Sequence, residues 1–429
     1  MPRSHRALLA LMALLVGVNA RANHPNEGTL SLEDLIREAS AHNLEVAELK
    51  AHSRVLQSAW SATTGQLYPE VSLEGGPLAS RFAAEKNSGT AAYAKVEWNL
   101  FRGGRDWAQR AKAMQDASLA QTQLDQAVAK VSREVARSYY EMLFILESIA
   151  IKEAAIELNE NQAKLARTKK NSGFTSEADV IEFELKDATL RSDLKRFLLE
   201  KDERARELSL LIGYKNPTAE IVVKGHLVRD SRTPKKSVVS QRLENENLEF
   251  LAAKVEYEQS QADKVIARAG LLPKLDVRGR YGKIESEGRI VAGADNYEVF
   301  LTLNVPLFSG FSSVGEVRSS QARVEESAAV LKRTSAQLRA AVDGLYAKLA
   351  SVMERLDLEE KTLVRSELYY KITIGEYRRG VKNSPDMVVA AERLLEARIR
   401  NLSYRKEFYL VRLDIEGLIG AMPNERSLY

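Results

Sequence analysis

Leu100-Phe101-Arg102-Gly103 returns 207 positions later as Leu307-Phe308-Ser309-Gly310. The same offset carries Val135 onto Val342, Tyr139 onto Tyr346, Gly173 onto Gly380, Asp179 onto Asp386 and Leu211-Ile212-Gly213 onto Leu418-Ile419-Gly420. Nearer the start the offset is 204: Asn43-Leu44-Glu45 maps onto Asn247-Leu248-Glu249, and Leu67 and Pro69 map onto Leu271 and Pro273. The change of offset falls between residues 73 and 98, so one connection differs by three residues. A register held this long without gaps defines two copies of one structural unit. A chain of 429 residues has room for two or three ordinary domains, but the repeat makes it two halves of one body.

Hydrophobic residues make up 45%, charged residues 28% and aromatics 7% of the chain, a composition that suits long helices packed side by side. The net charge is +4, and three of the cations, Arg3, Arg6 and Arg21, lie in an expected leader, which leaves about +1. Nucleic-acid binding needs a clustered excess of one sign and is not expected. Residues 1–22 predict a signal peptide: a basic start, an apolar run from Ala7 to Val18 and an A-x-A site at Ala20-Arg21-Ala22. That run is shorter than the ~20 residues of a spanning helix. Without cysteine there is no disulfide, no thiolate metal site and no lipidated N-terminal cysteine.

The periodicity sets out the first repeat, 23–236, element by element. A helix is expected over about 31–67, with Ser31 as cap and an apolar stripe from Leu32, Leu35, Ile36 and Ala39, ended by Pro69. A β-hairpin follows over about 69–101. In its first strand Val71 and Leu73 alternate with polar residues; in its second, Ala94, Val96, Trp98 and Leu100 do so; Ala83 to Thr90 reads as a loop between them. From 105 to 172 there is neither glycine nor proline, and Leu124, Val128, Val131, Val135, Ser138, Met142, Ile145 and Ile149 recur at steps of four and three. That is the 3.5-residue period of a left-handed coiled seam. A helix of this length spans about 100 Å. Gly173 turns the chain, a return helix is predicted over about 176–212, and 213–236 is a linker.

The second repeat, 237–429, follows the same plan. It has a helix at about 238–272, a hairpin at about 273–308, a long helix at about 311–379, and a return helix at about 385–419 after the Gly380 turn. The fold class is therefore mainly α with a small β part, as two tandem repeats of helix, β-hairpin, long helix and helix.

Each strand has roughly ten residues with one apolar face, the length and alternation of an outer-membrane strand. Four strands cannot close a barrel, and an open edge does not survive in hydrocarbon. Either copies pool their strands, three of them giving twelve or two giving eight, or the hairpins do not span a membrane. Trp98, Phe101, Phe308 and Phe311 stand where strand meets helix. They suit an aromatic belt at the inner interface or a packed joint.

The order of elements, the Pro69 and Pro273 breaks, the Leu-Phe-x-Gly joints at 100–103 and 307–310 and the Gly173 and Gly380 turns resemble the TolC-type outer-membrane efflux proteins. The resemblance covers about residues 30 to 420. It implies a homotrimer with a twelve-stranded barrel in outer-membrane lipid and a periplasmic α-helical barrel below it. It also implies a periplasmic adaptor (membrane fusion) protein and an inner-membrane pump as partners, in drug efflux or type I secretion. Localisation would be the outer membrane, extending into the periplasm of a Gram-negative bacterium. On this reading Gly173, Phe174, Asp179, Gly380, Val381 and Asp386 form the periplasmic entrance and adaptor contact. Pro69, Phe101, Gly103, Pro273, Phe308 and Gly310 form the strand–helix joints. Asp386 matches a position where the family often sets an inward acidic ring, while Val389 stands where a second acidic position would fall. The plain alternative for Asp386 and Asp179 is a first-turn acid favouring the helix dipole, with Ser176 as a capping partner for Asp179.

No enzyme is expected. The histidines His5, His24, His42, His52 and His226 are not at ligand spacing, and no metalloprotease, nucleophile-elbow or phosphate-loop motif occurs. No cofactor is expected either. Scattered Met and His speak against a metal-export duct. The rival reading is an exported periplasmic coiled-coil scaffold whose hairpins cap the bundle. If the strands do cross a membrane, Glu70, Glu74, Lys274, Arg278 and Arg280 face the lumen and leave it mixed in charge.

Overall fold

The structure, a computed structural model, describes residues 30–82, 85–214, 221–286 and 296–429. The expected signal peptide lies outside them. Two helices, α1 (Leu32–His42) and α2 (Leu44–Gly65), lead into β1 (Glu70–Phe82) and β2 (Glu85–Arg102). Then come the long α3 (Arg105–Asn171) and the return helix α4 (Glu177–Leu211). The second repeat runs α5 (Lys236–Glu246), α6 (Leu248–Ala269), β3 (Lys274–Ser286), β4 (Asn296–Asn304), α7 (Ser312–Arg378) and α8 (Ser384–Gly417). The two long helices have 67 residues each, about 100 Å at 1.5 Å per residue. Among the described residues no helix is long and apolar enough to cross a membrane.

Three sequence expectations need correction. The single helices expected over 31–67 and 238–272 are each two helices, broken at Asn43 and Asn247. Both asparagines leave the helical region at ψ near 130° and cap the helix that follows. Their amides then reach across to hydrogen-bond Leu211 O at 3.3 Å and Leu418 O at 2.7 Å. An asparagine that caps forward and bonds sideways offers the backbone an alternative to a continuous helix. Second, the loop expected over Ala83 to Thr90 is largely strand, because β2 starts at Glu85 and pairs in unbroken register with β1 from Phe82↔Glu85 to Glu70↔Glu97. In the second hairpin residues 287–295, between β3 and β4, lie outside the described residues. Third, Leu100 does not continue the Ala94–Val96–Trp98 face. The β2–β3 register slips between Asn99 and Phe101. Such a bulge inserts one residue and reverses the alternation beyond it, so Phe101, opposite Leu275, takes the apolar face instead.

The long helices form because nothing in them stops a helix and a continuous stripe rewards one. Val131, Val135, Met142 and Ile145 are buried, and their repeat mates Leu338, Val342, Leu349 and Val352 are buried as well. Ser138, the polar step, is buried with its hydroxyl unpaired. At mid-height α1, α5 and the linker wrap the rods, with Leu35, Ala39, Leu227, Val239 and Leu243 closing the main core over Val135 and Ile415. Tyr139 donates to Lys224 O at 2.6 Å, and its repeat mate Tyr346 donates to Pro234 O at 2.8 Å. One linker is thus held by the same side chain from both repeats.

The repeats differ in what flanks them. The central rod is α3, packed on α4, α2, α8 and α6; α7 packs on α8, α6 and α5. Accordingly α3 buries side chains on several faces along most of its length, while α7 buries a single sparse line. The free side of α7 leaves Leu358, Val364, Leu368 and Ile372 exposed. On the opposite edge of the chain, α4 leaves Ile181, Leu185, Leu199 and Leu210 exposed.

Candidate functional site

The residues singled out in the sequence lie at the two ends of the body. At the first, the sheet runs in order β1-β2-β3-β4, all antiparallel, with no further strand on β1 or β4 among the described residues. The register brings the alternating apolar residues onto one face. Val71 lies opposite Val96, Leu73 opposite Ala94, Trp98 opposite Val277, Val277 opposite Leu301 and Leu275 opposite Leu303. Among the described residues this face is largely bare: Leu73 is 88% exposed and Leu301 66%. The other face is polar. Lys95 Nζ lies 3.2 Å from Glu74 and 3.1 Å from Glu97, Arg278 Nε lies 3.8 Å from Glu97, and the Arg280 guanidinium stacks on the Tyr93 ring. Glu70 and Lys274 share that parity.

At the joints Pro69 and Pro273 stand immediately before β1 and β3, where no backbone N–H is needed yet. The Trp98 indole donates to Leu67 O at 3.0 Å and ties helix end to strand. Gly103 adopts φ +64, and a Cβ there would meet Leu272 Cβ at 2.9 Å and Ala269 Cβ at 3.1 Å. Gly310 has the same φ of +64 with open space around it. Phe101, Phe308 and Phe311 are exposed, the last two in edge-to-face contact. Phe311 holds φ +65 at the position where the first repeat has Gly104.

The other end is the pair of helix turns. Gly173 (φ +76) and Gly380 (φ +80) each close a Schellman cap, Phe174 N bonding Lys169 O and Val381 N bonding Glu376 O. Phe174 is 82% exposed and Val381 69%. Asp179 sits in a dense donor set: Thr175 Oγ1 at 2.5 Å, Ser176 N at 3.1 Å, Ser176 Oγ at 3.0 Å, and the Ser384 hydroxyl from the second repeat. The Thr175 hydroxyl, chief among these donors, holds its carboxyl well below the usual range, at about 2. Asp386 closes a capping box with Asn383 and has Lys382 Nζ at 3.8 Å, its side chain 39% exposed. Both acids therefore cap their helices, and Asp386 is the less enclosed of the two.

The sequence reading missed the contacts that join the two turns. A small second core of Ala166, Val180, Phe183, Tyr377, Met387 and Val388 unites all four long helices just above the tip. The Lys169 ammonium lies over the Tyr377 ring at 4.2 Å and donates to Tyr377 O. Gln162 donates to Tyr370 Oη at 2.6 Å, and within the second repeat the Tyr377 hydroxyl pairs with Ser384 Oγ at 3.2 Å. The available signal was a failure of the repeat: Tyr377 has Lys170 as its mate, and Lys169 has Glu376.

Paired helical hairpins about ten nanometres long are continued by a small antiparallel sheet with one largely bare apolar face. The chain has the fold of the outer membrane protein VceC from Vibrio cholerae, with TM-score 0.81 at 18% identity, covering 91% of this chain and 96% of that one. It superposes equally well on a membrane protein from Pseudomonas aeruginosa, with TM-score 0.80 at 19% identity and 92% coverage of both chains. The model of the outer membrane efflux protein family matches residues 35–213 and 239–421, one segment per repeat, and the chain belongs to that family. Outer membrane protein OprJ of P. aeruginosa is 24% identical over 291 residues, 64% of this chain and 59% of OprJ, so that match spans less than two thirds of the relative. Outer membrane protein TolC of V. cholerae is 19% identical over 419 residues, 93% of this chain and 94% of that protein. The chain is thus an outer-membrane protein of the efflux class, its rods extending into the periplasm.

Proposed function

We propose that three copies of this chain form the outer-membrane exit duct of a tripartite efflux or type I secretion system. Their sheets together make a twelve-stranded barrel and their rods a periplasmic tunnel. One observation carries the reading: a four-stranded sheet with two unpaired edges and one exposed apolar face. In hydrocarbon every backbone polar group must be paired, so such a sheet is stable there only when copies complete it. The capping-hairpin alternative gives no reason for that face to be apolar on all four strands.

On this reading the polar face lines the lumen with both signs of charge, suited to wide passive conduction. Energy comes from an inner-membrane pump joined through an adaptor at the tip, where Phe174 and Val381 offer apolar contacts. Asp386, less enclosed than Asp179, supplies the acidic constriction at the entrance. The test is a planar bilayer: purified protein gives ion-conducting pores, and Asp386→Ala raises their conductance or weakens divalent-cation block. Recovery of the protein in the soluble periplasm without detergent overturns the duct. Unchanged conductance and block in Asp386→Ala overturns the constriction alone.

A further inference from the structure

The repeat makes it possible to read a contact between copies from one inside a single chain. Within the chain, α3 packs against α8, and Ala154 and Leu158 of α3 and Ala391 and Leu394 of α8 line one cavity between the helices, with Lys186 and Arg398 also on its wall. A head-to-tail ring of repeats contains this seam twice per copy, once inside the chain as α3–α8 and once between chains as α7–α4. The 207-residue offset carries Ala154 and Leu158 onto Lys361 and Arg365 of α7, and carries Ala391 and Leu394 back onto Glu184 and Asp187 of α4. Two cations on one edge of the chain thus come to face two carboxylates on the other.

Resting on the trimeric duct reading, we propose that Lys361 and Arg365 of one copy pair with Asp187 and Glu184 of the next. The seam between copies then has charged pairs at the four positions where the seam inside each copy has Ala154, Leu158, Ala391 and Leu394. Lys361 and Arg365 are exposed and have no carboxylate within 4.0 Å among the described residues. Glu184 is held only by Arg167 at 2.8 Å, an exposed pair, and Asp187 by its helix neighbour Arg191 at 2.6 Å. The apolar flanks fit the same register: Leu358, mate of Ile151, remains exposed on α7, and Ile181, mate of Val388, remains exposed on α4.

An independent place in the fold supports the transfer. At the strand–helix joint a Cβ on Gly103 would run into Ala269, at the end of α6, and Leu272 just beyond it, while a Cβ on its mate Gly310 would meet nothing within 4 Å. The 204-residue offset takes Ala269 and Leu272 to Gly65 and Tyr68 at the end of α2, where Tyr68 is exposed. The space beside Gly310 is thus open where the repeat would set the next copy's α2.

Exposed ion pairs are individually weak and are screened by salt, whereas an apolar seam is not. The rods of neighbouring copies therefore part more readily than the two hairpins of one copy, and the tunnel wall opens between subunits. The absence of cysteine makes the test direct. Arg365→Cys with Glu184→Cys in the full chain, oxidised in detergent, is expected to give a covalent trimer on a non-reducing gel. Either single variant stops at dimer or monomer. Lys361→Glu with Arg365→Glu is expected to weaken association at least tenfold, and adding Glu184→Lys with Asp187→Lys to restore it. A double-cysteine protein that is trimeric by native mass but stays uncrosslinked overturns the seam and leaves the trimer standing. A charge reversal that the second pair fails to rescue does the same. A monomeric native mass for the unaltered protein overturns the trimer itself, and the seam with it.

Discussion

Asn43 and Asn247 each do two things. The side-chain oxygen caps the following helix, Asn247 Oδ1 accepting from Phe250 N at 2.9 Å, while the amide satisfies a carbonyl near the end of the return helix. Replacing a capping Asn by Ala costs about 1 kcal/mol, and losing the sideways hydrogen bond to a half-buried residue's carbonyl adds roughly 0.5–1.5 kcal/mol. Asn247→Ala is therefore expected to lower the thermal midpoint, and by more than Asn43→Ala, whose sideways bond is longer at 3.3 Å; circular dichroism at 222 nm, a standard helix signal, checks the order. Asp179 makes a pH prediction. Its folded carboxyl sits at about 2, against ~3.9 for an unfolded Asp. A depressed pKa gives stability that is present in full above the unfolded value and is lost as pH falls through the folded one. The first turn of α4 should thus lose hydrogen-exchange protection between about pH 4 and pH 2, and Asp179→Asn should remove that dependence. Equal loss in the variant would assign the effect to another group.

At the scale of elements, a 3.5-residue apolar period makes a rod and a two-residue period makes a wall, and this chain switches between them at Pro69 and Pro273. The wall carries its own prediction. Leu301 is exposed on the central apolar stripe, opposite Val277. An Arg or Lys on the lipid face of a barrel costs roughly 2–4 kcal/mol near the midplane. Leu301→Arg is expected to reduce the fraction of protein recovered in the outer membrane, while Thr302→Arg on the polar face is tolerated; fractionation and immunoblotting of the two variants compare them. The bulge at Leu100 has a mechanical sense too. It falls where β2 leaves the sheet for α3, and bulges bend and twist a strand, which helps steer the chain from wall to rod.

In the whole molecule the repeats are alike in sequence but unequal in surroundings. One rod, α3, is enclosed by its own chain, and the other, α7, presents an open side. Identical units in a closed ring have equivalent neighbours, so the unequal burial of α3 and α7 is what a single copy taken from a ring looks like. Native mass spectrometry in detergent is expected to give three copies. The tip lock belongs to this scale as well. Lys169 with Tyr377 and Gln162 with Tyr370 hold one hairpin to the other within a copy, and Ser384 braces Tyr377 inside the second hairpin. Tyr377→Ala removes the cation–π contact, the Ser384 bond and the centre of the small core. It should raise pore conductance while the native mass stays at three copies. A fall to monomer would show that Tyr377 stabilises the assembly and not the entrance alone.

The repeat, the order of elements, the 67-residue rods and the position of both tight turns were legible in the sequence because each rests on local chemistry: a period, a proline, a glycine at positive φ. The breaks at Asn43 and Asn247 were missed although Asn-Leu-Glu stood in both repeats, because asparagine interrupts a helix only when a distant carbonyl, here Leu211 O or Leu418 O, rewards its side chain. The β2 extension was missed because its early residues lack an alternating face, and pairing with β1 alone makes them strand. The roles of Asp179 and Asp386 as caps were readable from spacing, but the Ser384 donor that deepens the Asp179 site comes from more than two hundred positions away. By itself the sequence determined which segments are rods and which are walls, since period and punctuation act over a few residues. Only the tertiary structure decided which rod is enclosed and which is bare, and how the two tips are fastened, since those depend on which distant side chains meet.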